Sequence, residues 1–183
     1  DGIAGNRGPE FMSSNDISKQ VRLGIEDSFQ YHKKPLPVVD LESPEVIVTV
    51  LVRNGRVSFS VNTSGKSLHK RGYRHMNHPA PLKETLAAAM LSLADYRGQV
   101  PLFDPMCGSG SIVIEAATRA LNKACHIHRR KNQFGFEHLM NFDRNLWRKI
   151  QDEERKKQKD DLEHPIFASD LSEEFVAMSQ THA

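Results

Sequence analysis

Cysteine is scarce in this sequence, and long apolar runs are missing. The 183 residues include two cysteines, Cys107 and Cys125, which is too few for the disulfide framework of a small secreted protein. No apolar run approaches the roughly 20 residues that a helix needs to cross a bilayer, and no signal peptide is recognisable. We therefore expect a soluble, cytoplasmic protein that has no membrane partner.

A large excess of charge of either sign is also lacking. Lysine and arginine number 25, aspartate and glutamate 23, and the net charge is +2. This balance excludes a polycation that binds nucleic acid through its overall charge, so any such binding must come from local basic clusters. Hydrophobic residues make up 38% of the chain, which is enough for the core of one domain or of parts of two.

The most informative feature that is present is a glycine-rich turn at residues 104–112, with the sequence DPMCGSGSI. An apolar run suited to a buried strand precedes it at residues 100–103, and a run that can form a helix against a sheet follows it. Gly108 and Gly110 can take positive φ and let the backbone approach closely, so main-chain N–H groups at the helix start can face a polar ligand. The turn is therefore the leading candidate for a binding site.

Two common phosphate-binding motifs are missing from this turn. It lacks the Gly-Lys-Ser/Thr ending of a triphosphate-binding loop. Val113 occupies the position of the third glycine of the dinucleotide motif. A nucleotide-dependent oxidoreductase is therefore disfavoured, and two glycines alone would also fit an ordinary strand-to-helix turn.

Asp170 is the second candidate ligand-binding residue. It ends a short apolar run at residues 165–170. An acidic side chain at the carboxyl end of the strand after a glycine loop can accept hydrogen bonds from both ribose hydroxyls of an adenosine. About 20 residues separate the two features in a simple dinucleotide fold, whereas some 60 separate them here. A plain helix-capping role is the alternative.

The sequence at residues 104–117 resembles the first cofactor motif of class I S-adenosylmethionine-dependent methyltransferases. More narrowly, it is similar to the THUMP-domain RNA guanine-N2 methyltransferases, the family of the bacterial 23S rRNA large methyltransferase. Further strings typical of that family stand in the same order at residues 64–74, 80–89, 134–137 and 168–171, together with Asp143 and Trp147. The resemblance covers roughly residues 40–183, and the family's insertion accounts for the long gap before Asp170.

The resemblance implies S-adenosyl-L-methionine as the cofactor, RNA (23S rRNA) as the partner, and methyl transfer to the N2 amine of a guanine. It implies that Asp170 holds the ribose and that Leu171 contacts the adenine. The cofactor-binding residues that the family implies are His78, Ala80, Leu82, Asp104, Cys107, Gly108, Ser109, Gly110, Asp170 and Leu171. Glu115, in the following helix, fits a structural role as well as a cofactor-linked one.

Two clusters of basic residues suggest contact with a polyanion. The first cluster comprises Lys66, His69, Lys70, Arg71, Arg74 and His75, with Tyr73 interleaved. The resemblance implies an RNA-facing connection here, with Lys66, His69, Lys70, Arg71, Tyr73 and Arg74 as its RNA-binding residues. The second cluster follows the glycine-loop helix and comprises Arg119, Lys123, Arg129, Arg130 and Lys131. Phosphate contacts supply sequence-independent affinity for RNA, and aromatic rings can stack on bases. Ordinary solvated faces also carry such clusters.

Neither a metal centre nor a catalytic motif is evident. The string CHIH at residues 125–128 has no second pair of ligands at a fitting spacing, so we expect no metal site. Amino-group methyltransferases of the family use an Asn/Asp-Pro-Pro-aromatic motif, which this sequence does not contain. The catalytic residues are therefore left unassigned. We expect the chain to be the cofactor-binding part of a longer enzyme, and we expect this part to be inactive on its own. A noncatalytic RNA-binding or ribosome-assembly module is the alternative.

The order of elements predicts an α/β fold. It corresponds to the first half of a class I methyltransferase Rossmann-like, doubly wound sheet, preceded by a β-hairpin from a THUMP-like region. Asn54-Gly55 between β-branched runs at residues 46–52 and 57–62 is a strong hairpin signal. Helices are expected at about residues 17–29, 81–96 and 112–120, around residues 142–150, and from Ser172 onward. The apolar face predicted for the helix at 81–96 consists of Leu82, Leu86, Ala89, Met90 and Leu93.

Three segments are expected along the chain. Residues 1–12 lack periodicity and resemble a cloning remnant. Residues 13–75 are expected to form a partial THUMP-like RNA-binding region and a linker. Residues 76–183 are expected to form the N-terminal half of the methyltransferase domain, with an insertion at about 121–164.

Overall fold

The computed structural model describes residues 13–76, 79–126, 129 and 133–183. Contacts between Cα atoms divide the chain into two compact units. The first unit contains the residues up to Gly65 together with Phe134–Met140, and the second contains Lys66–Gln133 and Asn141–Ala183. The basic segment that begins at Lys66 therefore lies in the second unit, with the glycine loop.

The first unit contains a helix and a hairpin. Helix α1 (Ser14–Tyr31) begins with a capping box, in which the Ser13 hydroxyl accepts from the Asp16 N–H and the Asp16 carboxylate accepts from the Ser13 N–H. Strands β1 (Ile47–Arg53) and β2 (Arg56–Asn62) pair along their whole length. Their turn residues, Asn54 and Gly55, have φ of 51° and 69°, as a two-residue hairpin with mirror-image turn geometry requires. The predicted hairpin is confirmed.

A 3₁₀ turn at Gly135–His138 also belongs to the first unit. The Phe136 N–H donates to the Thr63 carbonyl at 2.9 Å, just beyond the end of β2. Gly135 lies against the Asn62 carbonyl oxygen so closely that a Cβ would overlap it. This part of the predicted insertion is therefore fixed on the hairpin, and only glycine fits at position 135.

The second unit alternates helices with two short strands. Its elements are α2 (Glu84–Leu93), β3 (Leu102–Asp104), α3 (Ser111–Ala120), α4 (Arg144–Lys156), β4 (Ile166–Ala168) and α5 (Glu173–His182). Strands β3 and β4 are parallel, with Leu102 opposite Ile166 and Asp104 opposite Ala168. The core of this unit is formed by Leu91, Tyr96 and Ala116, with Leu102, Ile112 and Ile166 packed around them. This arrangement is the predicted α/β fold.

The apolar face predicted for α2 is wrong. The helix buries Glu84, Ala87 and Leu91, whereas Leu86 and Leu93 are 51% and 89% exposed. Nearly every residue of this helix is apolar or small, so the periodicity did not select a face. Helix α2 packs against α3, and Leu91 of α2 shares the core with Ala116 of α3.

Helix α4 (Arg144–Lys156) is rich in charged residues and lies at the surface. It begins at Arg144, where the Asp143 carboxylate accepts from the N–H groups of Asn145 and Leu146. It has no buried residue among its described positions, and Leu146 and Ile150 are 54% and 40% exposed. In the described part of the chain, no helix is both long enough and apolar enough to cross a membrane.

Candidate functional site

The two parallel strands bring the candidate ligand-binding loops together. Because β3 and β4 run in the same direction, the segments that follow them meet at one edge of the sheet. The Ser169 N–H donates to the Asp104 carbonyl at 2.9 Å, and the Cys107 N–H donates to the Ser169 carbonyl at 2.9 Å. The glycine loop at 104–110 is thus bonded directly to the end of β4, although some 60 residues separate them.

Asp170 is the side chain that joins these loops. Its Oδ2 accepts from the Gly108 N–H at 2.8 Å, and its Oδ1 accepts from the Ser172 N–H at 3.1 Å. The second bond supports the start of α5, as the capping interpretation predicted, while the first places the carboxylate on the glycine loop. A carboxylate offers about four acceptor positions, which makes this side chain chemically suited to accept from hydroxyl groups.

The start of α3 faces the same edge. Gly108 and Gly110 have φ of 51° and 84°, which is the left-handed conformation expected from the sequence. Within the described residues, no side chain caps the N-terminus of α3, so its first N–H groups and the positive end of its dipole are presented at the loop. A Cβ on Gly110 would overlap the Ser179 hydroxyl of α5. Position 110 therefore requires glycine for conformation and for space.

The other predicted cofactor residues differ in their placement. Asp104 is buried, and its Oδ1 accepts from the Met106 N–H at 3.1 Å. The Leu82 carbonyl accepts from the Ser111 hydroxyl at 3.1 Å, which places Leu82 at the start of α3. Ala80 is exposed, and Leu171 is fully exposed at the edge of the site. His78 lies outside the described residues.

A comparison with protein families identifies the second unit. Residues 71–183, more than half of the chain, match the RMKL-like methyltransferase domain. The chain belongs to the RMKL-like methyltransferase family. The matched region contains the glycine loop, both parallel strands and Asp170.

Curated relatives are longer than this chain. A Synechocystis protein named as an RNA methyltransferase, slr0064, is 32% identical over 177 residues, which are 97% of this chain and 46% of that protein. The ribosomal RNA large subunit methyltransferase K/L of Vibrio campbellii is 40% identical over 144 residues, which are 79% of this chain and 20% of that protein. The chain therefore spans less than half the length of the curated relatives it matches.

Solved structures share the fold. SMU.472, named as a methyltransferase and crystallised with SAH, matches this chain with a TM-score of 0.76 and 29% identity. The matched region is 93% of this chain and 43% of the SMU.472 chain. A Listeria monocytogenes protein named as an N6-adenine-specific DNA methylase matches with a TM-score of 0.78 and 28% identity. The matched region is 93% of this chain and 44% of the Listeria chain. The α/β arrangement of the RMKL-like domain is that of these methyltransferases.

The basic segment before α2 is fastened to the RMKL-like domain by buried ion pairs. Arg71 pairs with Glu115 of α3 at 3.2 Å, with 11% and 4% of the two side chains exposed. Arg74 pairs with Glu84 of α2 at 3.4 Å and donates to the Ser111 hydroxyl at 2.6 Å. Of the two roles left open for Glu115, the geometry supports the structural one. Both guanidinium groups of the predicted RNA-binding segment are directed into the domain.

The remaining residues of that segment fall into two groups. The Tyr73 hydroxyl is buried in the domain, and this burial together with the charges of Glu115 and Glu84 raises its pKa. Lys66 and Lys70 are exposed. The Nδ1 atom of His69 lies 2.7 Å from the Ser67 hydroxyl, within hydrogen-bond distance. The lysines are therefore the members of the segment that are exposed to solvent.

Removing Arg71 should destabilise the domain in a pH-dependent manner. Burial already raises the pKa of Glu115, and Arg71 opposes that rise. Arg71→Ala leaves the carboxylate buried without its partner, and we expect a loss of about 3 kcal/mol of unfolding free energy at pH 8. When the pKa of Glu115 is higher in the folded than in the unfolded protein, the free energy of unfolding falls as the pH rises from the unfolded-state pKa to the folded-state pKa. At pH 5 more of the Glu115 carboxyl is protonated than at pH 8, so Arg71→Ala should cost less unfolding free energy at pH 5.

Urea unfolding at the two pH values measures this effect. Arg71→Ala with Glu115→Gln should recover much of the loss at pH 8, because no buried charge remains. Arg22→Ala is the control, since its exposed pair with Glu26 on α1 should contribute about 0.5 kcal/mol or less. An equal loss at both pH values would contradict the buried ion pair.

His182 is a residue of the site that the sequence did not reveal. It is 4% exposed, its Nε2 lies 3.2 Å from the Met76 N–H and its Nδ1 lies 3.1 Å from the Ser109 carbonyl. The backbone N–H must donate to Nε2, so Nδ1 carries the proton and donates to Ser109. The imidazole thus joins the basic segment to the glycine loop. No local motif marks it, because both contacts span more than 70 residues.

The two cysteines of the chain should differ in reactivity. Burial raises the pKa of the Cys107 thiol in the glycine loop, and the nearby carboxylates of Asp104 and Asp170 add to the rise. Cys125 is exposed and serves as an internal control. At pH 7.5 we expect iodoacetamide to alkylate Cys107 at least about tenfold more slowly than Cys125, because less of it is thiolate. Peptide mass spectrometry measures both rates, and equal rates would contradict the buried position of Cys107.

Proposed function

We propose that this RMKL-like domain binds S-adenosyl-L-methionine at the edge formed by residues 104–110 and 169–171. The observation that carries the proposal is the Asp170 carboxylate bonded to the Gly108 N–H beside the uncapped start of α3. A carboxylate is suited to vicinal ribose hydroxyls, and the helix start to a ligand carboxylate. The SAH in the crystal of SMU.472 supports the same ligand class here.

The residues present fit such a cofactor. The positive φ values of Gly108 and Gly110 form the tight turn that brings the backbone to the start of α3, where N–H groups can face a polar ligand. The proposed cofactor-binding residues remain His78, Ala80, Leu82, Asp104, Cys107, Gly108, Ser109, Gly110, Asp170 and Leu171. Bound S-adenosylmethionine would supply a methyl group on a sulfonium, and the contribution of these residues is to hold and orient it.

The whole protein is proposed to be an RNA methyltransferase. The names of the Synechocystis and Vibrio relatives support RNA as the substrate. The finer proposal is methylation of the N2 amine of a guanine in 23S rRNA. The name of the Vibrio relative supports large-subunit rRNA as the substrate, and the sequence resemblance implies the N2 amine of guanine. The β1–β2 hairpin is proposed to belong to a THUMP-like RNA-binding region of the same enzyme.

Methyl transfer to RNA tests this function. The full-length natural protein would be incubated with labelled S-adenosylmethionine and unmethylated 23S rRNA, and the product nucleosides would be identified by mass spectrometry. N2-methylguanosine is the expected product. Transfer to adenine would instead match the activity in the name of the Listeria protein. Cofactor binding without transfer to any RNA would favour the noncatalytic RNA-binding module.

A further inference from the structure

Arg129, from the second basic cluster of the sequence, contacts the start of the first cluster. Arg129 Nη2 donates to the Lys66 and Ser67 carbonyls at 2.8 and 3.2 Å. His126 Nε2 lies 3.0 Å from the Leu68 carbonyl. These contacts join residues separated by about 60 positions. His126 and Arg129 therefore lie against the start of the basic segment.

This junction concentrates positive charge. Arg71 Nη1 lies 3.2 Å from His126 Nε2, and the exposed Lys66 and Lys70 lie on the same segment as Arg71. Burial and the charge of Arg71 lower the pKa of Arg129, and burial together with both arginine charges lowers the pKa of His126. Glu115 compensates the charge of Arg71, and the lowered pKa of His126 favours its neutral form. The positive charge that can attract an anion at this junction is therefore that of Arg129 and of the two exposed lysines.

We propose that Lys66, Lys70 and the docked Arg129 form a surface that binds the phosphate backbone of RNA. This proposal rests on the proposed RNA methyltransferase function and names the surface that receives the substrate. Arg129 holds the two segments together through backbone carbonyls, and the two lysines present mobile cations to solvent. A phosphodiester chain carries one negative charge per nucleotide, so it complements several cations at once.

A charge-matched pair of variants tests the surface. Lys66→Ala/Lys70→Ala removes two exposed cations from it, and Lys149→Ala/Lys156→Ala removes two from the exposed face of α4. Binding of a 20-nucleotide single-stranded RNA of mixed sequence would be followed by fluorescence anisotropy over a salt series. The slope of log affinity against log salt should lose about 1.4 in magnitude in the first variant, since each phosphate contact contributes roughly 0.7 for single strands. The α4 variant should keep the wild-type slope.

The outcomes separate this surface from the proposed cofactor site. Both variants should bind S-adenosylhomocysteine as the wild type does, because neither changes the glycine loop or Asp170. An unchanged salt slope in Lys66→Ala/Lys70→Ala, or an equal change in the α4 control, would overturn the proposed surface. A wild-type chain that binds S-adenosylhomocysteine but not this RNA would also overturn it, while leaving the cofactor site intact.

Discussion

Asp170→Ala should lower the affinity of this chain for S-adenosylhomocysteine about 100-fold. Two charge-assisted hydrogen bonds to ribose hydroxyls contribute roughly 3 kcal/mol together, which corresponds to that factor. The substitution also removes the acceptor of the Gly108 N–H, so the loop itself loses a support. Isothermal titration calorimetry measures the dissociation constant directly.

Two controls make this result specific. Asp160→Ala removes the same charge from an exposed position between α4 and β4 and should leave the affinity unchanged. Asp170→Asn keeps the shape of the side chain and one acceptor oxygen, so its affinity for S-adenosylhomocysteine should lie between those of the wild type and Asp170→Ala. Wild-type affinity in a folded Asp170→Ala protein would show that the ribose is not held by this carboxylate.

Gly110→Ala should destabilise the domain by about 3 kcal/mol. The left-handed backbone at this position, with φ of 84°, costs an alanine roughly 1 kcal/mol. The new methyl group would also overlap the Ser179 hydroxyl and lie 3.2 Å from Ile114 Cδ1, and overpacking of this kind costs roughly 2 kcal/mol more. Urea unfolding followed by circular dichroism measures the loss.

Gly72→Ala separates the two causes. Gly72 has φ of 102°, and no atom of the described residues lies within 4 Å of the methyl group that alanine would add there, so only the conformational cost of about 1 kcal/mol applies. Adding Ser179→Gly to Gly110→Ala should restore part of the stability by removing the overlapping hydroxyl. Equal losses in Gly72→Ala and Gly110→Ala would contradict the close approach of α5 to the glycine loop.

The local features of the fold could be predicted from the sequence because each depends on neighbouring residues. Asn54-Gly55 supplies the two positive φ values of the hairpin turn, and Ser172 supplies the cap of α5, whose hydroxyl accepts from the Phe175 N–H. The glycine loop was likewise recognisable, since its φ values and its position between strand and helix follow from the local sequence. Asp170 could be placed beside it because strands of a parallel sheet end at one edge.

The long-range contacts could not be predicted in the same way. His182 and Arg129 contact backbone groups more than 60 positions away, and a backbone carbonyl leaves no mark in a sequence. The inward direction of Arg71 was also hidden, because a basic cluster has the same composition whether it faces RNA or a buried glutamate. For α2, nearly all residues are apolar or small, so the sequence pattern did not distinguish the buried face from the exposed one.

Binding of an S-adenosyl ligand at the glycine loop can be tested at the level of single residues. The experiment is a series of ¹H–¹⁵N correlation spectra of the labelled chain during titration with S-adenosylhomocysteine. We expect saturable shifts at the amides of Gly108, Ser109, Gly110 and Asp170, no shifts in the β1–β2 hairpin, and no comparable response to NAD. A folded chain whose loop amides do not respond to S-adenosylhomocysteine, or respond equally to NAD, would contradict this binding.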